Sequence, residues 1–172
     1  MHEENSMRPY VPPRWIARTA WSIHRTLYRV SGGRFGLRRP REGQFGLMRL
    51  TATGRRSGAE RSVMLAYVED GSDIITLAMN GWAESHPAWW LNLKADPNAR
   101  IVLPDGPRKV TGRIAEGGER QRLWSIWKGL EGNMDAHARF RSTPTDVVVL
   151  EPRSEAPAGL GRAAGHPEMA DR

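Results

Sequence analysis

The sequence predicts a mainly antiparallel β domain with a few helices packed around it (α+β). Three observations carry that expectation. Six short strand-like runs are separated by turn signals or short helical stretches. Apolar residues occupy both parities of "VMLAYV" (63–68) and "IITLAM" (74–79), so these strands are covered on both faces, as in a small barrel with helices outside. Helical periodicity is confined to three places: 13–30, a short insertion within 80–98, and 116–141.

Residues 1–12 read as a flexible tail. From Pro13 to Val30, Ile16, Ala20, Ile23, Leu27 and Val30 recur at spacings of four and three, giving an amphipathic helix with Arg14, Arg18, Arg25 and Arg29 opposite. Trp21 and Tyr28 fall beside those arginines, and Gly32 and Gly33 supply the stop. A basic loop, "LRRPREGQ", leads to the strands "GLMRLTAT", "ERSVMLAYVED" and "DIITLAM", the last two joined by the hairpin signal "EDGSD". The insertion "NGWAESHPAWWLNLKADPN" begins as a turn and continues as a short helix, with Ser85 as its cap and Pro87 in its first turn. "ARIVL" and "RKVTGRIAE" follow, linked by "PDGP". Helices over "EGGERQRLWSIWKGL" and "MDAHARFR" precede a last strand, "DVVVLEP". Beyond Arg153, alanine, glycine and proline without periodicity predict disorder. The expected organisation is one domain over 13–152 between tails at 1–12 and 153–172.

Composition narrows the function. The chain has 172 residues and no cysteine, which excludes disulfides, thiolate metal sites and a cysteine nucleophile, and fits a reducing cytoplasm. Its start lacks the basic-then-apolar order of a signal peptide, and no apolar run approaches the roughly 18 residues of a membrane span. The net charge of +7 is unevenly placed: residues 8–61 carry thirteen Arg, no Lys and two acids, Glu42 and Glu60. So local a positive field points to an anionic partner.

The turn "TGRRSGAER" lies inside that segment. Glycines flank a bend that can offer backbone N–H groups, with Arg55, Arg56 and Arg61 adding forked guanidinium donors, an arrangement suited to phosphate or carboxylate. A solvated basic hairpin is the plainer alternative. The turn has neither the ending of a Walker loop nor a GxGxxG pattern. The five histidines show no metal-ligand spacing and no nucleophile elbow exists, so neither a metal centre nor a hydrolytic triad is expected. Trp89 and Trp90 either cap a barrel core or wall a planar ligand.

Three pieces in fixed order, "LTATGRRSGAERSVMLAYVEDG", "LAMNGWAESHPAWWLNLKADPNARIVL" and "DVVVLEP", resemble the deazaflavin-dependent nitroreductase family, split β-barrel oxidoreductases of FMN-binding-like fold that use coenzyme F420. The resemblance covers roughly residues 13–152, close to the size of one ordinary domain. It implies that Arg55, Arg56, Ser57 and Arg61 bind the phosphate and oligoglutamate tail of F420. It implies also that Met64, Leu65 and Ala66 meet the deazaflavin ring through backbone amides, and that Met79, Asn80, Ala88 and Trp89 line the same groove. The implied reaction is hydride transfer from the reduced deazaflavin to an activated alkene, quinone or nitro compound, with the protein supplying position and electrostatics.

The chain departs from its better-known nitro-reducing relatives before the last strand, where "LEGNMDAHARF" replaces a tyrosine-rich stretch. Glu131 and Met134 then stand on the substrate side, and His137 is either the proton donor or a surface histidine. Alternatives remain: flavin mononucleotide as cofactor, or a non-catalytic barrel that binds a cofactor or lipid. A nucleic-acid partner is not expected, since no recognised module is present. The helix at 13–30 either packs on the barrel or touches an anionic membrane surface, which would make the protein cytoplasmic and peripheral to the inner face. A homodimer is compatible with the family.

Overall fold

The computed structural model describes residues 36–79, 85–139 and 141–153, with His137 described by its backbone alone. The helix expected at 13–30, the tails at 1–12 and 154–172, and Asn80 lie outside the described residues. Six strands close into an antiparallel barrel: β1 (Gly46–Thr53), β2 (Glu60–Asp70), β3 (Asp73–Leu77), β4 (Asn98–Leu103), β5 (Gly106–Ile114) and β6 (Val147–Pro152). Their order around the barrel is β1-β2-β3-β6-β5-β4, and β4 pairs back onto β1. Among the described residues three helices pack around it: α1 (Ala88–Ala95), α2 (Gly117–Leu130) and α3 (Met134–Arg139).

Both faces of β3 and β6 are buried, and each face has its own apolar cluster. Met48, Leu50, Leu65, Tyr67, Ile101 and Leu150 fill the barrel, and Trp89, Trp90 and Leu93 of α1 join them. Outside, Val68, Ile75, Leu77, Val147 and Val149 lie under Leu123 and Trp127 of α2 and Met134 of α3. In β6, Val148 and Leu150 point inward while Val147 and Val149 point out, and all four are at most 1% exposed. Two-sided cover is the physical reason for the unbroken apolar runs. Met134, placed on the substrate side by the sequence, is fully buried in the outer cluster and serves as packing in this structure.

Helix α1 is set by polar anchors. Trp90 Nε1 donates to Asp146 Oδ2 at 2.6 Å, and Lys94 Nζ lies 3.1 Å from the same oxygen while standing 5.0 Å from the Trp90 ring centroid. Pro87, not Ser85, occupies the N-cap position, with extended φ and ψ (−66° and 147°) and no side-chain cap. The N–H groups of Trp90 and Leu91 turn to Pro87 O instead (3.1 and 3.2 Å). β3 stops at Leu77, two residues short of the expected end, because Met79 N–H folds back onto Leu77 O at 2.8 Å in a three-residue turn.

Candidate functional site

The register of β2 creates an open edge. Along one side β2 pairs with β1 over its first eight residues, Glu60 to Tyr67, but on the other side it pairs with β3 only at Val68, Glu69 and Asp70. Which amides face the opening follows from parity. Leu47 gives both its N–H and its C=O to Arg38, so Leu47 and Ala66, although opposite, do not exchange backbone bonds. The exchanging pairs are therefore Met48 with Leu65 and Leu50 with Val63. Ala66 O, on the other edge, accepts from Thr76 Oγ1 at 2.8 Å. The N–H groups of Met64 and Ala66 consequently point away from β1 into the gap where β3 has diverged, whereas that of Leu65 belongs to the ladder. Of the three amides expected to meet the ring, the geometry offers two.

The arginine turn closes the β1–β2 hairpin at one end of this edge. Gly54 N–H donates to Ala59 O (2.8 Å), and Ser57 and Gly58 N–H both donate to Gly54 O (3.1 and 2.8 Å). Gly58 has φ +67°, which glycine adopts without strain, and a Cβ on Gly54 would stand only 3.0 Å from Ala59 O. Arg55 N–H and its guanidinium both donate to Asn92 Oδ1 of α1 (3.2 and 3.3 Å). Ser57 Oγ accepts from Ala59 N–H and from Arg61, each at 3.4 Å. This corrects the expected nest: most N–H groups of the turn are spent inside the protein, so an anion must be held chiefly by guanidinium groups. Arg55, Arg56 and Arg61 are all exposed, and the adjacent Glu60 is faced by Arg100 at 3.4 Å. The positive field of the turn is therefore left standing.

Between the turn and α2 runs a groove of about 220 Å³. Its floor is β2 from Val63 to Ala66 with Thr76 and Leu77 of β3; Met79, Pro87 and Trp89 form one wall, and Trp127 another. At about 3.3 Å per residue, Ala66 lies about 17 Å along β2 from Arg61. The site thus fits a long ligand, anionic at the turn and planar and apolar over the groove. A family model described as F420H(2)-dependent quinone reductase matches residues 21–152. The chain belongs to that family.

An F420H(2)-dependent quinone reductase of Mycobacterium tuberculosis is 31% identical over 151 residues, covering 81% of this chain and 97% of that protein. A solved F420-H2 dependent reductase (FDR-A) is 28% identical with a TM-score of 0.58, covering 67% of this chain and 96% of its own. A solved domain-swapped dimer is 26% identical with a TM-score of 0.60, covering 78% and 99% respectively. This family member is therefore an F420-dependent reductase with the split-barrel fold, and the residues of its turn and groove suit F420, the cofactor its family uses.

Other expected site residues fall as follows. Trp89 and Met79 line the groove, while Ala88 is exposed at the start of α1. Glu131 is half-buried just past the end of α2, where its N–H closes on Trp127 O at 3.0 Å. Sequence reasoning missed Asn92 and Trp127. Asn92 is 6% exposed, three residues after Trp89 on the same helix face, and a polar residue within that apolar face was the available signal. Trp127 Nε1 is buried without a partner among the described residues, which no sequence pattern reveals. Tyr67 is fully buried inside the barrel, and burial, followed by the carboxylates of Glu69 and Asp105, pushes its hydroxyl up to about 12.

Proposed function

We propose that this reductase passes hydride from reduced F420 to a carbonyl-conjugated acceptor of the quinone or enone type. The observation that carries the reading is the open β2 edge, with Met64 and Ala66 amides facing a groove that continues from the arginine turn. Arg55, Arg56 and Arg61 would hold the phosphate and glutamate tail, with Ser57 steering Arg61. Met64 and Ala66 N–H would bind the polar edge of the ring, and Met79, Ala88 and Trp89 would flank it. When bound, the reduced deazaflavin supplies two electrons and a proton as hydride. The chain's own work is to fix the ring against the acceptor at about 3–3.5 Å and to keep water off both faces.

Nitro reduction is the weaker version of this reading. The three tyrosines stand at positions 10, 28 and 67, and Tyr67 lies inside the barrel, so the stretch before β6 offers no phenol. On sequence grounds Glu131 stays proposed as a substrate-side residue, His137 as the proton donor and Asn80 as a groove residue. The test is stopped-flow oxidation of F420H2 with menadione, cyclohexenone and a nitroimidazole. Rapid turnover with the first two and little with the third supports the reading; the reverse order overturns it. A homodimer, suggested by the domain-swapped relative, belongs to the same proposal and is checked by light scattering.

A further inference from the structure

Trp127 is the groove wall to which neither the motifs nor the cofactor reading gives a role. The residue is 2% exposed and packs in the outer cluster with Leu77, Leu123 and Met134, yet its Nε1–H is buried without a hydrogen-bond partner among the described residues. Unpaired buried donors are uncommon in folded proteins because the lost hydration is not repaid. Two neighbouring indoles show the ordinary outcome: Trp90 Nε1 reaches Asp146 at 2.6 Å, and Trp124 Nε1 reaches Asp135 at 2.8 Å.

We infer that Trp127 Nε1–H is the hydrogen-bond donor for a carbonyl oxygen of the ligand seated in this groove, an inference that rests on the proposed function. Thr76, also in the lining, already spends its hydroxyl on Ala66 O. The remaining lining side chains are aliphatic, thioether or proline, apart from the second indole, Trp89. Position separates the two indoles. Trp89 stands on α1, which carries Asn92 and so adjoins the arginine turn. β2 runs from that turn past Ala66 to Val68, which shares the outer cluster with Trp127. Trp127 therefore meets the uncharged end of the ligand, where the ring and acceptor lie.

The chemistry of the donor narrows the acceptor. An indole N–H donates a hydrogen bond but does not release its proton at accessible pH. Hydride from the reduced deazaflavin adds two electrons and one proton to the conjugated system, and negative charge collects on the carbonyl oxygen. Trp127 stabilises that oxygen without giving up its own proton, and the second proton comes from a separate donor, the proposed His137 or water. A quinone or enone needs no more than this, whereas a nitro group must lose water and needs protons delivered along the way.

The test uses the ¹⁵N-labelled full-length protein, with the Trp127 indole resonance assigned through its backbone. Oxidised F420 and menadione are added separately and then together, a combination that cannot turn over. A downfield shift of the Trp127 indole proton with F420 alone assigns the oxygen to the deazaflavin, and one that appears only with menadione assigns it to the acceptor. Either supports the inference. An unmoved Trp127 resonance in all three titrations overturns it. Absence of F420 binding by fluorescence would instead strike the proposed function, and the menadione arm would still decide Trp127. As a second readout, Trp127→Phe should keep F420 affinity while losing about 3- to 10-fold in menadione kcat/KM if the acceptor is the partner. If the deazaflavin is the partner, the same loss should fall on F420 affinity.

Discussion

Asn92→Leu separates a structural contact from a functional one. Asn92 Oδ1 accepts from Arg55 N–H and from the Arg55 guanidinium at 3.2 and 3.3 Å, and the residue is 6% exposed. Leucine fills a similar volume and suits a buried helix face, so packing should survive. Both bonds are at the long end of the N–H···O range and Arg55 is exposed, so their joint loss should cost about 1–2 kcal/mol. If that energy holds the turn in its binding shape, F420 affinity should fall by about 5- to 30-fold. Thermal stability should fall by a few degrees, since about 1 kcal/mol moves Tm by about 2–4 °C in a chain of this size. The assay is fluorescence titration with F420 beside a thermal melt of the same sample. A lowered Tm with unchanged affinity would refute the reasoning, because the turn would then not need α1 to hold its ligand.

Other expectations follow from buried and paired groups. Tyr67→Phe removes a hydroxyl that has no partner among the described residues and whose desolvation costs about 1–3 kcal/mol, so its Tm at pH 8 should match or exceed that of the wild type. The same substitution should flatten an alkaline loss of stability. With the folded hydroxyl raised to about 12, the unfolded chain sheds its proton near the ordinary value of about 10, so the contribution of Tyr67 is present below that pH and lost above it. In acid the sign reverses. The hydrogen bonds of Arg122 to Asp70, of Arg113 to Glu119, and of Lys128 to Asp135 hold these carboxyls below their usual range. Their stabilisation is present above about pH 4 and lost as pH falls through the folded values, so melts should be level from pH 8 to 5 and drop below about 4. Sedimentation with anionic liposomes should not change on deletion of residues 1–34 if that segment packs on the barrel, and should fall if it binds membrane.

The strands were legible because alternation and turn chemistry coincide: the limits read from the sequence for β1 and β2, 46–53 and 60–70, are those of the structure. The arginine turn was legible as a cluster of charge, but its internal bonding was not. Whether an N–H faces a ligand or a neighbouring carbonyl depends on backbone geometry that residue identity does not specify. The open edge was hidden for a related reason, since it arises from where β3 leaves β2, a matter of register between strands. Met134 was placed by counting back from the last strand, which locates a residue along the chain but not on a helix face. Trp127 carries no motif that sets it apart in the sequence; it packs in the outer cluster, and its orphaned N–H is visible only once its neighbours are in place.

The exposed guanidinium groups of the β1–β2 turn are proposed to hold the anionic end of F420. That role is tested most directly by titrating the purified protein and an Arg55→Ala/Arg56→Ala variant with F420 by fluorescence, with flavin mononucleotide as the comparison. Micromolar binding of F420 by the wild type, weaker binding of the flavin, and loss of F420 affinity by at least about tenfold in the variant are expected, since charge-assisted contacts are removed. Equal F420 affinity in the two proteins would contradict that role.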